Sequence, residues 1–238
     1  MTRPRIYLFG DSITEASYVG GGWGAALTYH FARTADVVLR GYSGYNTRWA
    51  LKVVERVFPD DGVSPIAVTV FFGANDACLP DRCSAFQHVP IAEYKENLQA
   101  IVSFFKKRWP ATQVLLLTPP PIDDEVRLQY PYIENPANLP ERTNQHAGLY
   151  ARAAVEVAEE TGVPVIDFWT IMQQTPDWKT YLSDGLHLSP SGNTVVFDQV
   201  IKKLGEAGLS LDALPVDLPL IAEIDTKDPL KAFEFLQK

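Results

Sequence analysis

Cysteine is scarce in this chain: Cys78 and Cys83 are the only two in 238 residues. Both fall in one loop, so no disulfide framework is available, and free thiols in a reducing compartment are expected. With only His88 nearby, the pair falls short of a zinc site, and no metal or other cofactor is expected. Basic excess is missing too: 21 Lys and Arg stand against 29 Asp and Glu, a formal net charge of −8. That balance disfavours nucleic acid as a partner, and the one basic run, Lys106-Lys107-Arg108, suits the C-terminal end of a helix dipole. No long hydrophobic run occurs either. The most apolar stretch, Ile66 to Phe72, is far short of the ~18 residues of a membrane span. Gly10-Asp11-Ser12 interrupts the apolar segment after Phe9 and leaves no h-region, so no secretory signal is expected and the cytoplasm is the expected location. Several catalytic signatures are absent: Gly-x-Ser-x-Gly, His-Glu-x-x-His, Gly-Lys-Ser/Thr and Gly-x-Gly-x-x-Gly.

What is present is an ordinary globular composition, 46% apolar and 21% charged, arranged as a regular alternation. Arg5–Phe9, Asp36–Arg40, Ile66–Phe72, Gln113–Leu117 and Val165–Ile166 read as strands, each bounded by Gly, Pro or a polar turn. Between them, 23–33, 47–58, 93–109 and 141–161 carry apolar residues at helical spacing, and a last helix over 193–204 follows the N-cap signal Ser189-Pro190. Strands separated by helices of this length imply a parallel sheet covered on both faces: an α/β three-layer sandwich with a five-stranded, flavodoxin-like sheet. Residues 1–208 form one domain in this reading. Residues 209–238 form an extension too rich in Leu and Ile to be solvated, expected to pack on the domain or on a second copy as a homodimer. The proline-punctuated segment 122–140 follows a strand end and reads equally as a pocket wall or lid and as a variable surface excursion.

Ligands in open α/β sheets bind at the carboxyl ends of the strands, and four suggestive groups fall there or just before the last helix. They are Gly10-Asp11-Ser12-Ile13, Gly41-Tyr42-Ser43-Gly44, Gly73-Ala74-Asn75-Asp76 and Asp184-Gly185-Leu186-His187. Singly, each is ordinary turn and cap chemistry. Together they are the parts of acyl transfer on one rim of one sheet. In this order they resemble the sequence blocks of the GDSL or SGNH hydrolase superfamily, with Ile13 where the family name has Leu. The longer strings Gly21-Gly22-Trp23-Gly24, Asn46-Thr47-Arg48-Trp49 and Ser183 to Leu188 are similar to the branch of isoamyl-acetate-hydrolysing esterases and their plant and animal homologues.

The resemblance implies Ser12 as nucleophile, His187 as general base and Asp184 as the carboxylate that orients the imidazole. It also implies an oxyanion hole of the Ser12 and Gly44 backbone N–H groups and the Asn75 amide. Each role suits its residue. A serine hydroxyl needs a base within hydrogen-bond reach, and an imidazole exchanges protons near neutrality. A carboxylate three residues before a histidine can take its Nδ1–H and leave Nε2 for the serine. Glycine lets backbone approach the substrate. Asp11 and Asp76 read as structural residues of the loops carrying Ser12 and Asn75. Trp23 and Tyr45 are candidate contacts for an apolar group of the substrate, against the alternative that they pack helix on sheet.

The family likeness points to a serine esterase for short-chain, acetate-type esters. An O-deacetylase of acetylated sugars or an acyltransferase would use the same machinery. A binding protein that kept the fold without the chemistry is disfavoured by the complete residue set.

Overall fold

A computed structural model describes residues 3–237. Among them, five strands form one fully parallel sheet: β1 (Arg5–Gly10), β2 (Asp36–Gly41), β3 (Ala67–Phe71), β4 (Gln113–Leu117) and β5 (Val165–Ile166), in the spatial order β2-β1-β3-β4-β5. Central strands of a parallel sheet are covered on both faces and are therefore apolar throughout; every residue of β3 is buried. Side chains along such a strand alternate between the two faces. Tyr7, Phe9, Val68, Val70, Val114 and Leu116 accordingly enter one core layer, while Ile6, Leu8, Ala67, Phe71, Leu115 and Leu117 enter the other.

The first layer is closed by α3 (Thr47–Val57), α4 (Ile91–Arg108) and most of α6 (Asn144–Thr161). The second is closed by α1 (Ser12–Glu15), α2 (Trp23–His30), α7 (Phe168–Gln173) and α8 (Pro190–Glu206). The three-layer sandwich expected from the alternation is thus the observed architecture. Side-chain caps set where helices begin. The Asn46 carboxamide accepts the Trp49 N–H at the start of α3, and Ser189 accepts the Gly192 N–H ahead of Pro190 in α8; such caps contribute about 1 kcal/mol each.

Three elements differ from the sequence reading. α1 and α7 are too short for a helical period to register in sequence. The segment 122–140 holds a short helix, α5 (Asp124–Gln129), capped by Asp123. Ile122, Asp123 and Arg127 are buried, whereas Tyr130, Tyr132, Ile133 and Leu139 are exposed. After Gly208, Leu209 and Leu214 pack on the second layer, and the Asp217 carboxylate sits between Arg3 Nε and Arg33 Nε, each at 2.8 Å. Beyond that clasp, Leu218, Leu220, Ile221, Leu230 and Phe235 are exposed. No described helix is long and apolar enough to cross a membrane.

Candidate active site

β1 ends at Gly10, and the chain turns at once into α1, whose first residue is Ser12. Asp11 makes this turn rigid: its buried carboxyl accepts the Ile13 N–H at 3.0 Å. Burial pushes that carboxyl up to about 7, against the opposing pull of the Ile13 N–H and of the His187 and Arg142 charges. Ser12 is half-buried, with its hydroxyl on the carboxyl-end rim of the sheet.

His187 arrives from the loop before α8. Its Nε2 lies 2.9 Å from Ser12 Oγ, and its Nδ1 lies 2.8 Å from Asp184 Oδ2. The other Asp184 oxygen, Oδ1, accepts the backbone N–H groups of Leu186 (3.1 Å) and His187 (2.7 Å), so one carboxylate shapes the turn and orients the ring. Burial alone would raise the Asp184 carboxyl; the His187 ring and these two N–H donors outweigh it and hold the group well below the usual carboxylate range. An ionised Asp184 requires Nδ1 to carry the ring proton, leaving Nε2 as acceptor for the Ser12 hydroxyl. Gly185 is needed at this turn twice over. Its φ is +81°, and a Cβ there would stand 2.5 Å from the Arg127 nitrogen and 2.7 Å from the Asp123 oxygen.

The second group of donors converges from β2 and β3. Gly44 holds φ +78° in the loop between β2 and α3, which a side chain would strain. Among the described residues, neither the Ser12 nor the Gly44 N–H donates to a protein acceptor. Asn75 follows β3 and is buried; its Nδ2 gives one hydrogen to the Tyr45 carbonyl at 2.9 Å and keeps a second. Asp76 is tied instead to the start of α3, accepting the Thr47 N–H at 2.9 Å, and burial pushes it up to about 7.

The two aromatic candidates separate. Trp23 does not face the rim: it is fully buried, with its indole N–H on the Ile13 carbonyl at 3.2 Å and its ring against Phe71. The large apolar ring goes where burial is most favourable, into the second core layer. Tyr45 stays half-exposed, next to Tyr42 and Trp49. The ring series continues outward through Phe86, 6.2 Å from Trp49, and Tyr132, 6.4 Å from Phe86. The Tyr132 hydroxyl reaches within 3.9 Å of the position a Cβ would take on Gly44.

Four polar residues behind the site were not singled out in sequence. Arg127, on α5, donates to Asp184 Oδ2 at 3.0 Å and to Glu141 Oε1 at 2.8 Å. Glu141 also pairs with Arg142, so a single buried carboxylate stands between two guanidinium groups. Arg142 and Gln87 both contact Asn75. Arg127, Glu141 and Arg142 fall in or beside the aperiodic segment 122–140, where no pattern distinguishes a buried arginine from a solvated one. Of the three histidines outside the site, His88 and His146 stack on each other, with Nδ1 atoms facing the carbonyls of Cys78 and Ala77, and His30 lies edge-on to Phe31 and Phe197. The described residues hold no group of three or more His, Cys, Asp or Glu side chains suited to a metal ion.

The sequence profile of the GDSL-like lipase/acylhydrolase family matches residues 8–195, the span that contains Ser12, Gly44, Asn75, Asp184 and His187. A GDSL esterase/lipase of Arabidopsis thaliana is 65% identical, over 98% of this chain and 99% of its own length. The human isoamyl acetate-hydrolyzing esterase 1 homolog is 41% identical over 95% and 90%. Among solved structures, a lipase/acylhydrolase from Enterococcus faecalis superposes with a TM-score of 0.69 at 27% identity, over 86% of this chain and 96% of its own.

Proposed function

The chain belongs to the GDSL-like lipase/acylhydrolase family and is a carboxylic ester hydrolase, and from that premise we propose that it cleaves short-chain, acetate-type esters through an acyl-enzyme on Ser12. The observation that carries the reading is the continuous line from Ser12 Oγ to His187 Nε2 (2.9 Å) and from His187 Nδ1 to Asp184 Oδ2 (2.8 Å). Ser12 Oγ attacks the ester carbonyl carbon as its proton passes to His187 Nε2, and Asp184 stabilises the resulting imidazolium. The negative charge on the former carbonyl oxygen is met by the N–H groups of Ser12 and Gly44 and the free hydrogen of Asn75 Nδ2. Losing one such donor typically costs about 10²–10³ in rate. Collapse of the tetrahedral intermediate breaks the bond to the alkoxy oxygen, which leaves with the proton from His187. Water, deprotonated by the same imidazole, then releases the acid and restores the Ser12 hydroxyl.

The short acyl group draws support from the human relative at 41% identity, which is named as a homolog of an isoamyl acetate-hydrolyzing esterase. The partly exposed ring series of Tyr45, Trp49, Phe86 and Tyr132 offers an apolar alcohol group a surface beside Gly44. The test is a panel of acetyl, butyryl and octanoyl esters, together with acetylated sugars, run on wild type and Ser12→Ala. Hydrolysis should be greatest for simple acetyl esters and lost in Ser12→Ala. A preference for octanoyl esters or for acetylated sugars would overturn the substrate class, and a fully active Ser12→Ala would overturn the nucleophile.

A further inference from the structure

Hydrogen-bond donors stabilise a developing oxyanion only if they are already aimed at it, because reorienting them during the reaction forfeits the gain. Gly44 comes from the loop after β2 and Asn75 from the loop after β3, and no covalent constraint relates them. One side chain touches both. Gln87, 1% exposed and contributed by the loop between β3 and α4, donates through Nε2 to the Gly44 carbonyl at 2.8 Å and to Asn75 Oδ1 at 3.2 Å.

Gln87 is itself oriented. Its Oε1 accepts Arg142 Nη2 at 2.9 Å, and that same nitrogen donates to Asn75 Oδ1 at 3.1 Å. Arg142 is 2% exposed; its Nε is fixed on the Ala74 carbonyl at 3.1 Å, and its Nη1 pairs with Glu141. Both hydrogens of Gln87 Nε2 and both of Arg142 Nη2 are therefore committed, and both lone pairs of Asn75 Oδ1 are filled. The carboxamide of Asn75 has one orientation that satisfies this set: Oδ1 toward the two donors, Nδ2 toward the Tyr45 carbonyl and the open rim. A flipped amide would place N–H groups against N–H groups in a buried site and leave all of them without acceptors, which strongly disfavours it. The Arg142 cation behind Oδ1 also polarises the amide, strengthening the hydrogen bond that Nδ2 gives on the far side.

We propose that Gln87, oriented by the buried Arg142, is a positioning residue that clamps Gly44 and Asn75 into one preformed oxyanion pocket. The inference rests on the oxyanion role assigned above to Gly44 and Asn75. Gln87→Met keeps the length and burial of the side chain but removes both donations and the acceptor. It should lower kcat by about 10- to 100-fold, the scale of a misplacement near 1 Å, while KM stays within about twofold. Gln87→Glu should lose more, because its carboxylate faces Asn75 Oδ1 and is relieved when the amide flips and turns its oxygen toward the substrate.

The decisive measurement is a double-mutant cycle with Asn75→Ala on an acetyl ester. If Gln87 works through Asn75, adding Gln87→Met to Asn75→Ala costs much less than Gln87→Met costs in wild type. Should Gln87→Met not accumulate as folded protein, Arg142→Lys is read in the same cycle; it keeps the charge beside Glu141 and gives up the fork. Wild-type kcat in these variants, or the same fold loss with and without the Asn75 amide, would overturn the positioning role. The two readings fail separately: an unimpaired Asn75→Ala removes the oxyanion assignment itself, whereas an impaired Asn75→Ala beside an unimpaired Gln87→Met removes only the clamp.

Discussion

The guanidinium of Arg127 stands 3.0 Å from Asp184 Oδ2, the same oxygen that faces His187 Nδ1 at 2.8 Å. Its side chain is 5% exposed, and its other partner, Glu141, is 1% exposed. α5 therefore acts as a buttress for the triad loop, joined to it also by the Asp123 N–H on the Gly185 carbonyl at 2.9 Å. Arg127→Met would remove the cation that the two carboxylates share, leaving Glu141 with Arg142 and Asp184 with His187. Breaking a buried pair with no other partner costs about 3–5 kcal/mol, so with these partners left the loss should be smaller, about 2 kcal/mol, and should lower the urea midpoint. Arg127→Lys should lose less. A stability within about 1 kcal/mol of wild type in Arg127→Met would contradict the buttress.

Asp184→Asn tests the carboxylate in the reaction itself. The amide can keep its place at the turn but no longer favours the tautomer with the proton on Nδ1, and it cannot stabilise an imidazolium. A loss in kcat on the order of 10⁴ is expected, as for other serine hydrolase triads. A loss below about tenfold would show that His187 takes its orientation from elsewhere.

The buried carboxyls give stability an unusual pH dependence. Asp11 and Asp76 are both pushed up to about 7 by burial, whereas an unfolded aspartate titrates near ~3.9. As the pH rises from about 4 to about 7, the unfolded chain releases these protons and the folded chain holds them, so rising pH favours unfolding. The slope is up to about 1.4 kcal/mol per pH unit for each group. Asp184 has the opposite sign: its lowered value stabilises the fold above the unfolded pKa, and that contribution is lost as pH falls through the folded one. Urea unfolding at about pH 5 and pH 8 should show a larger loss of stability at the higher pH in wild type than in Asp76→Asn. Equal pH dependence in the two proteins would contradict a protonated, buried Asp76.

Trp23 offers a contrast between packing and selectivity. Its ring is fully buried in the second layer, so Trp23→Ala should cost about 3–5 kcal/mol and leave the ratio of acetyl to butyryl hydrolysis unchanged in the folded fraction. A changed ratio without loss of stability would return Trp23 to the substrate side.

Period and punctuation made the sheet readable. The near-continuous apolar runs of β1, β3 and β4 are enforced by burial on two faces, and burial leaves a mark on sequence. The blocks around Ser12, Gly44, Asn75 and His187 were visible for a related reason: tight turns at strand ends require Gly, Asp and Asn, and the four groups recur in a known order. Gln87, Arg127, Glu141 and Arg142 were not visible. Their setting is a web of partners distant in the chain, 41 to 68 residues apart for the Asn46–Gln87 and Ala74–Arg142 contacts, and nothing local to an arginine or a glutamine says that it will be buried. Trp23 misled because its neighbours belong to a motif string, while its own side chain answers to the core.

Hydrolysis by this chain depends on the Ser12 hydroxyl, paired with His187, carrying the acyl group. A fluorophosphonate reacts with such a hydroxyl, and peptide mass spectrometry then locates the adduct. One phosphonylated residue is expected, Ser12, with loss of esterase activity in step with labelling and slow labelling in His187→Ala. Stoichiometric inactivation with the adduct on another residue, or undiminished hydrolysis by fully labelled Ser12, would contradict it.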